Sequence, residues 1–180
     1  MRLSRVQAQD TLIKDIDGDS IQDTICLERM LSVITCQLST QNFIETSSLA
    51  IEILQDESGL RETEEGFEFY NDWMRAGYIN QFIYNNVESK VQLVKIEKYS
   101  FGNAMNDGAK NASVNLLTSE FIGNWSIYND TNDEMVSLPT IKKKMRMPKI
   151  FLEDFSDTDY FDFDERCSKV FKRLKRKETL

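Results

Sequence analysis

The sequence predicts an α+β fold, mainly antiparallel β with hairpins and one C-terminal amphipathic helix. Three observations predict it. Short runs of β-branched and aromatic residues alternate with Asn, Asp and Gly turn signals as far as Ser137, the pattern of half-buried strands joined by tight connections. Near the end the period changes, and Phe163, Cys167, Val170, Phe171 and Leu174 recur at the spacing of one helical face. At 180 residues, 41% hydrophobic and 11% aromatic, the chain is large enough to bury one core without staples.

Each element follows in chain order. Residues 1–10 have a basic start but no apolar stretch, so Val6-Gln7-Ala8-Gln9 reads as the stump of a truncated signal peptide, or the segment as a frayed terminus. Residues 11–180 then make a single β-rich domain. Thr11-Leu12-Ile13 and Thr24-Ile25-Cys26-Leu27 are strand-prone and flank an acidic turn. Residues 31–38 continue the pattern with Val33, Ile34 and Thr35. Residues 49–54 predict a further strand, with Leu49, Ile51 and Ile53 on one face by the two-residue period. Phe67 and Phe69 alternate with Glu68, and Tyr78, Phe82 and Tyr84 lead to an Asn85-Asn86 turn whose partner strand is residues 91–99. Residues 101–113, rich in Gly, Asn and Asp, read as a long loop, and residues 113–137 as another hairpin turning at 129–133. The terminal helix has Asp162 and Asp164 near its start and Lys172, Arg173, Lys175 and Arg176 near its end, the charge order favoured by the helix dipole.

The stretch richest in chemistry is Asp15-Ile16-Asp17-Gly18-Asp19-Ser20-Ile21-Gln22-Asp23. Calcium takes six to eight oxygens, and side chains at loop positions one, three, five and nine with a backbone carbonyl at seven supply most of them. Asp15, Asp17, Asp19 and Asp23 fill the side-chain places and Ile21 the carbonyl place. Calcium in a structural role is therefore the expected cofactor. The alternative is a solvated turn in which the carboxylates cap backbone amides. Position twelve is Cys26, a poor ligand for a hard cation, so the loop is not an EF-hand.

This loop resembles the calcium-binding DxDxDGxxD element of FG-GAP and VCBS-type repeats, which place it between adjacent strands of a propeller blade. The resemblance covers one copy, so it implies the loop and its flanking strands but no propeller. Where the family has glycine at the sixth position this chain has Ser20, with Gly18 at the fourth. More loosely, a small acidic β-rich chain with such a loop, a signal stump and a terminal helix resembles small exported bacterial proteins. Among these are immunity proteins that neutralise type VI secretion effectors.

A second constellation runs from Glu153 to Glu165, with seven acids among thirteen residues and four aromatics interleaved. Glu153, Asp154, Asp157, Asp159, Tyr160 and Asp162 are its candidate partner-binding residues: aromatics supply anchors while carboxylates steer a partner with a basic cleft. The alternative is that Phe155, Phe161 and Phe163 face the core and the acids are solvated or cap the helix. Two basic clusters, Lys142-Lys143-Lys144 with Arg146 and Lys149, and residues 169–177, are either solvated faces or contacts for an anionic surface.

Charge and absences narrow the function. A net charge of -8 argues against nucleic acid as a partner, and no apolar run is long enough for a transmembrane segment. The chain has no histidine, which removes His-based triads and histidine-ligated metals, and no glycine-rich phosphate loop. The three cysteines allow one bridge in an oxidising compartment, Cys36 to Cys167 or Cys26 to Cys36, or are three buried hydrophobes. The expected function is a non-enzymatic binding protein outside the cytoplasm, periplasmic or secreted, with an immunity or inhibitor protein that neutralises a secreted toxin as the concrete form. The alternatives are a calcium-stabilised cell-envelope structural or adhesion module and a carboxylate-pair glycoside hydrolase.

Overall fold

A computed structural model describes residues 10–102, 110–129 and 133–178. The signal-peptide reading of residues 1–9 and most of the 129–133 turn lie outside them. The fold is α+β as predicted: two antiparallel sheets and one long C-terminal helix.

The first sheet is a meander of β1 (Thr11–Lys14), β2 (Asp23–Glu28), β3 (Val33–Gln37) and β4 (Glu45–Ser47), in that order. Strands β1 and β2 are the predicted pair around the acidic loop, with Lys14 opposite Asp23. Ile25 and Leu27 turn inward while Thr24 and Cys26 stay half-exposed, so the two-residue period decides which face is buried.

The second sheet is a long meander, β5 (Gly59–Glu62), β6 (Gly66–Asp72), β7 (Ala76–Asn85), β8 (Lys90–Ser100), β9 (Lys110–Asn115), β10 (Glu120–Asn129) and β11 (Glu134–Ser137). Two short strands complete it: β12 (Ile141–Lys144) pairs with β10, and β13 (Ile150–Phe151) pairs with β8. Phe67 and Phe82, opposite each other on β6 and β7, stack at 5.1 Å. Gly66 is needed beside them, because a Cβ there would sit 2.1 Å from the Phe82 carbonyl oxygen. The Asn85-Asn86 turn forms at residues 86–89, where the Asn85 side-chain oxygen accepts the N–H groups of Val87 and Glu88.

The helix α1 (Asp157–Glu178) starts five residues before Asp162. Its N-terminus is a capping box: Ser156 Oγ accepts the Thr158 N–H, and Asp159 accepts the Ser156 N–H at 3.1 Å. Its apolar stripe is the predicted one. Phe163 and Cys167 are fully buried, and Phe171 stacks on Trp125 at 6.0 Å. One continuous core joins this stripe to Phe69, Tyr78, Ile96, Val114 and Phe121 of the large sheet and to Ile25, Leu27 and Ile34 of the small one.

Three expectations are corrected. Residues 49–54 are not a strand: Ile51 is buried, while Leu49 and Ile53 are about half exposed. Their backbone groups bond three different places, Leu49 N–H to Phe155 O, Ile51 N–H to Ser32 O and Ile53 N–H to the Asp157 carboxylate, so the segment is a crossing between sheets and not part of a ladder. Residues 110–113, read as loop, begin β9, since pairing with β8 overrides weak strand propensity. A bridge from Cys26 to Cys36 is excluded by register: Cys26 lies opposite Thr35 and Cys36 opposite Ile25, so their side chains leave opposite faces. All three cysteines are free.

Candidate metal centre and acidic surface

The acidic loop between β1 and β2 folds on its own carboxylates. Asp15 accepts the N–H groups of Gly18 and Ser20 through its two oxygens, at 2.7 and 2.8 Å. Asp17 accepts the Asp19 N–H and Asp19 the Ile21 N–H, each an Asx turn two residues long. Gly18 and Ser20 both take positive φ, +84° and +71°. Ser20 thus adopts a left-handed conformation that favours glycine, at a cost of about 1 kcal/mol for a residue with a Cβ.

The result brings Asp15, Asp17 and Asp19 together, with one oxygen of each within 4.8 Å of the others. Three carboxylates this close repel by about 1 kcal/mol per pair in water-like surroundings, which a cation would reverse. The donors are hard oxygens with no nitrogen or thiolate among them, a set that fits Ca²⁺ or a similar hard divalent ion. Ile21 lies two residues beyond Asp19 and is about half exposed.

Asp23, the fourth expected ligand, is placed differently. It is fully buried, and its two oxygens accept the N–H groups of Ile16 and Ser39, both at 2.8 Å. It ties the loop to the next connection and lies outside the converging group. That connection, a 3₁₀ turn at Ser39–Gln41, adds two hydroxyl donors: Ser39 to Asp19 at 2.8 Å and Thr40 to Asp17 at 2.6 Å. Nothing in the spacing of the sequence points to Ser39 and Thr40, because they reach the loop only through the pairing of β2 with β3.

At the other constellation the structure divides the six expected residues. Asp157 is buried and accepts the Ile53 N–H; Tyr160 is buried and stacks on Tyr78 at 4.2 Å. Glu153 pairs with Lys90, and Asp162 with Arg166 one turn along the helix. Asp154 is exposed, and Asp159 is half-buried in the capping box. Burial first, then the charges of Asp162, Asp154 and Asp157, push the Asp159 carboxyl above its usual range, so Asp154, Asp159 and Asp162 share one patch beside the buried Asp157. Phe155 and Phe163 face the core as in the alternative reading, but Phe161 is 40% exposed beside Asp162.

Beneath the helix lies a buried charge. Lys98 is 3% exposed and forms an ion pair with Asp164, which also lies 3.8 Å from Lys110. Burial first, then the Lys110 charge, push its ammonium down to about 7, and the Asp164 contact opposes this by holding the charged form.

No protein-family model matches this chain, and neither does any curated protein or solved structure. No helix among the described residues is long and apolar enough to cross a membrane.

Proposed function

We propose that this chain is a non-enzymatic binding protein that works outside the cytoplasm, in the manner of an immunity or inhibitor protein that neutralises a secreted toxin, with a structural calcium ion in its N-terminal loop. The observation that carries the binding role is the acidic patch of Asp154, Asp159 and Asp162, with Phe161 exposed on the same helix. An exposed aromatic supplies a buried anchor on association, and surrounding carboxylates speed encounter with a basic cleft. The converging carboxylates of Asp15, Asp17 and Asp19 support the calcium role. An exposed site of this kind suits the weak affinities, on the order of 10⁻⁴–10⁻³ M, at which extracellular modules operate.

The binding role is tested by pull-down with the full chain as bait. A stoichiometric basic partner is expected, lost with the Phe161→Ala, Asp154→Lys pair of changes while the melting temperature holds. Recovery of no effector-like protein, or retention of the partner by the double variant, refutes it. For calcium the test is a thermal melt with the ion against one with chelator. Calcium a hundredfold above its dissociation constant should add ~2.7 kcal/mol, an increment that Asp17→Ala or Asp19→Ala removes. An unchanged melt across millimolar calcium refutes that part.

A further inference from the structure

Two basic stretches far apart in sequence run side by side in the fold. Strand β12 and the C-terminal half of α1 line one flank together, and just past the strand the Arg146 carbonyl accepts Arg166 Nη1 from the middle of the helix at 3.1 Å. Ile141, Lys143, Val170, Arg173 and Leu174 enclose an apolar-floored notch of about 140 Å³ there, roughly the size of one large side chain. Lys142, Lys143, Lys144, Lys172, Arg173 and Arg176 are all exposed, and none has a carboxylate within ion-pair distance among the described residues. In a chain of net charge -8 this is a local reversal of sign.

The strand is also an open edge. It pairs with β10, with Phe121 opposite Lys143 and Gly123 opposite Ile141. The Met145 N–H donates to the Ser119 carbonyl at 2.8 Å, so by the alternation of an antiparallel ladder Lys143 and Ile141 also bond to β10. Lys142 and Lys144 therefore turn their backbone N–H and C=O groups away from the sheet, with no partner among the described residues. The Lys143 ammonium lies on the helix side, 5.7 Å over the Phe121 ring, while Lys144 Nζ donates to the Thr118 carbonyl.

We propose that this edge binds an extended, acidic segment of a partner protein. The segment adds as a strand to β12, sets carboxylates against Lys142, Lys143 and Arg173, and seats one apolar side chain in the notch. Charge selects this occupant. Lysines on an edge repel indiscriminate pairing, and a second copy of β12 would bring like charges face to face. An acidic strand turns the same repulsion into attraction. Nucleic acid would use neither the unpaired backbone groups nor the apolar notch. The proposal stands apart from the acidic patch and the cation loop, and neither test above bears on it.

The probe is a fluorescein-labelled peptide of glutamates on both faces around one central Val, titrated against the full chain by anisotropy at low and moderate salt. Binding is expected to weaken as salt rises, and roughly tenfold with either Lys143→Glu or Arg173→Glu. Hydrogen exchange at the amides of Lys142 and Lys144 should slow when the peptide is added, a readout specific to strand addition. A peptide N-methylated at alternate positions should fail to bind. Absence of binding at millimolar peptide overturns the proposal. So do equal binding of the N-methylated peptide, unchanged exchange at the two amides, and equal binding of a single-stranded oligonucleotide of the same charge.

Discussion

Replacing Asp23 by alanine separates what holds the N-terminal loop from what holds a cation. The carboxylate is fully buried and accepts two N–H groups, from Ile16 within the loop and from Ser39 in the next connection. Hydrogen bonds to a charged acceptor contribute roughly 1.5–3 kcal/mol each, and truncation leaves the Ile16 donor buried without a partner. The expected loss is therefore about 3–5 kcal/mol. For a domain of this size that lowers the melting temperature by roughly 6–20 °C. Asp23→Asn, which keeps one acceptor oxygen, should lose about half as much. The assay is a pair of melts, with calcium and with chelator, on wild type and both variants. Because Asp23 lies outside the converging group, its loss should lower both curves and leave the calcium increment in place, whereas Asp19→Ala should remove the increment. A fall of less than about 2 °C for Asp23→Ala would refute the buried-tie reasoning. A deficit confined to the calcium melt would show Asp23 to be a ligand.

Ser20→Gly should stabilise the chain by about 1 kcal/mol in urea unfolding, because Ser20 sits at φ +71°, which glycine adopts without strain; a loss would refute the strain argument. Titration with a thiol reagent should find one reactive cysteine in the folded chain, half-exposed Cys26, and all three only in denaturant without reductant, since burial shields Cys36 and Cys167 and pushes their thiols up to about 12 and 11. Fewer than three in denaturant would mean a disulfide. Lys98 titrates near 7 when folded against 10.5 as an unperturbed side chain, so the unfolded chain binds more protons across that interval and stability rises with pH from about 7 upward, at up to ~1.4 kcal/mol per unit. Lys98→Met should remove that slope when urea midpoints are compared between about pH 6.5 and 7.5, below the range where the thiols and tyrosines add the opposite trend. Parallel profiles would show that Asp164 holds the ammonium fully charged.

Much of the fold is legible in the chain because it is written in short-range period. The pairing of β1 with β2, the strands carrying Phe67, Phe69, Tyr78 and Phe82, and the helical stripe from Phe163 to Leu174 each need only a few consecutive residues to declare themselves. Residues 49–54 show where that stops. Their apolar alternation matches a strand, but strand formation needs a neighbour, and their N–H groups find Phe155, Ser32 and Asp157 instead. The candidate sites divide the same way. The spacing of Asp15, Asp17 and Asp19 is local, and the loop closes on it; the fate of Asp23 depends on Ser39, sixteen residues on, which only the second hairpin brings near.

Legible in the chain alone were the α+β class, the strand and helix periods, the clustering of Asp15, Asp17, Asp19 and Asp23 in one loop and the acid-rich helix start. Tertiary structure alone decided that Asp157 and Tyr160 turn inward while Phe161 turns out, and that Asp23 serves as a buried tie. It also decided that two basic stretches, separate in sequence, form one edge. The physical reason is common to all three. Side-chain period along a strand or helix is set by backbone geometry within a few residues, whereas burial and partnership depend on which distant element covers that side, and no local pattern encodes that.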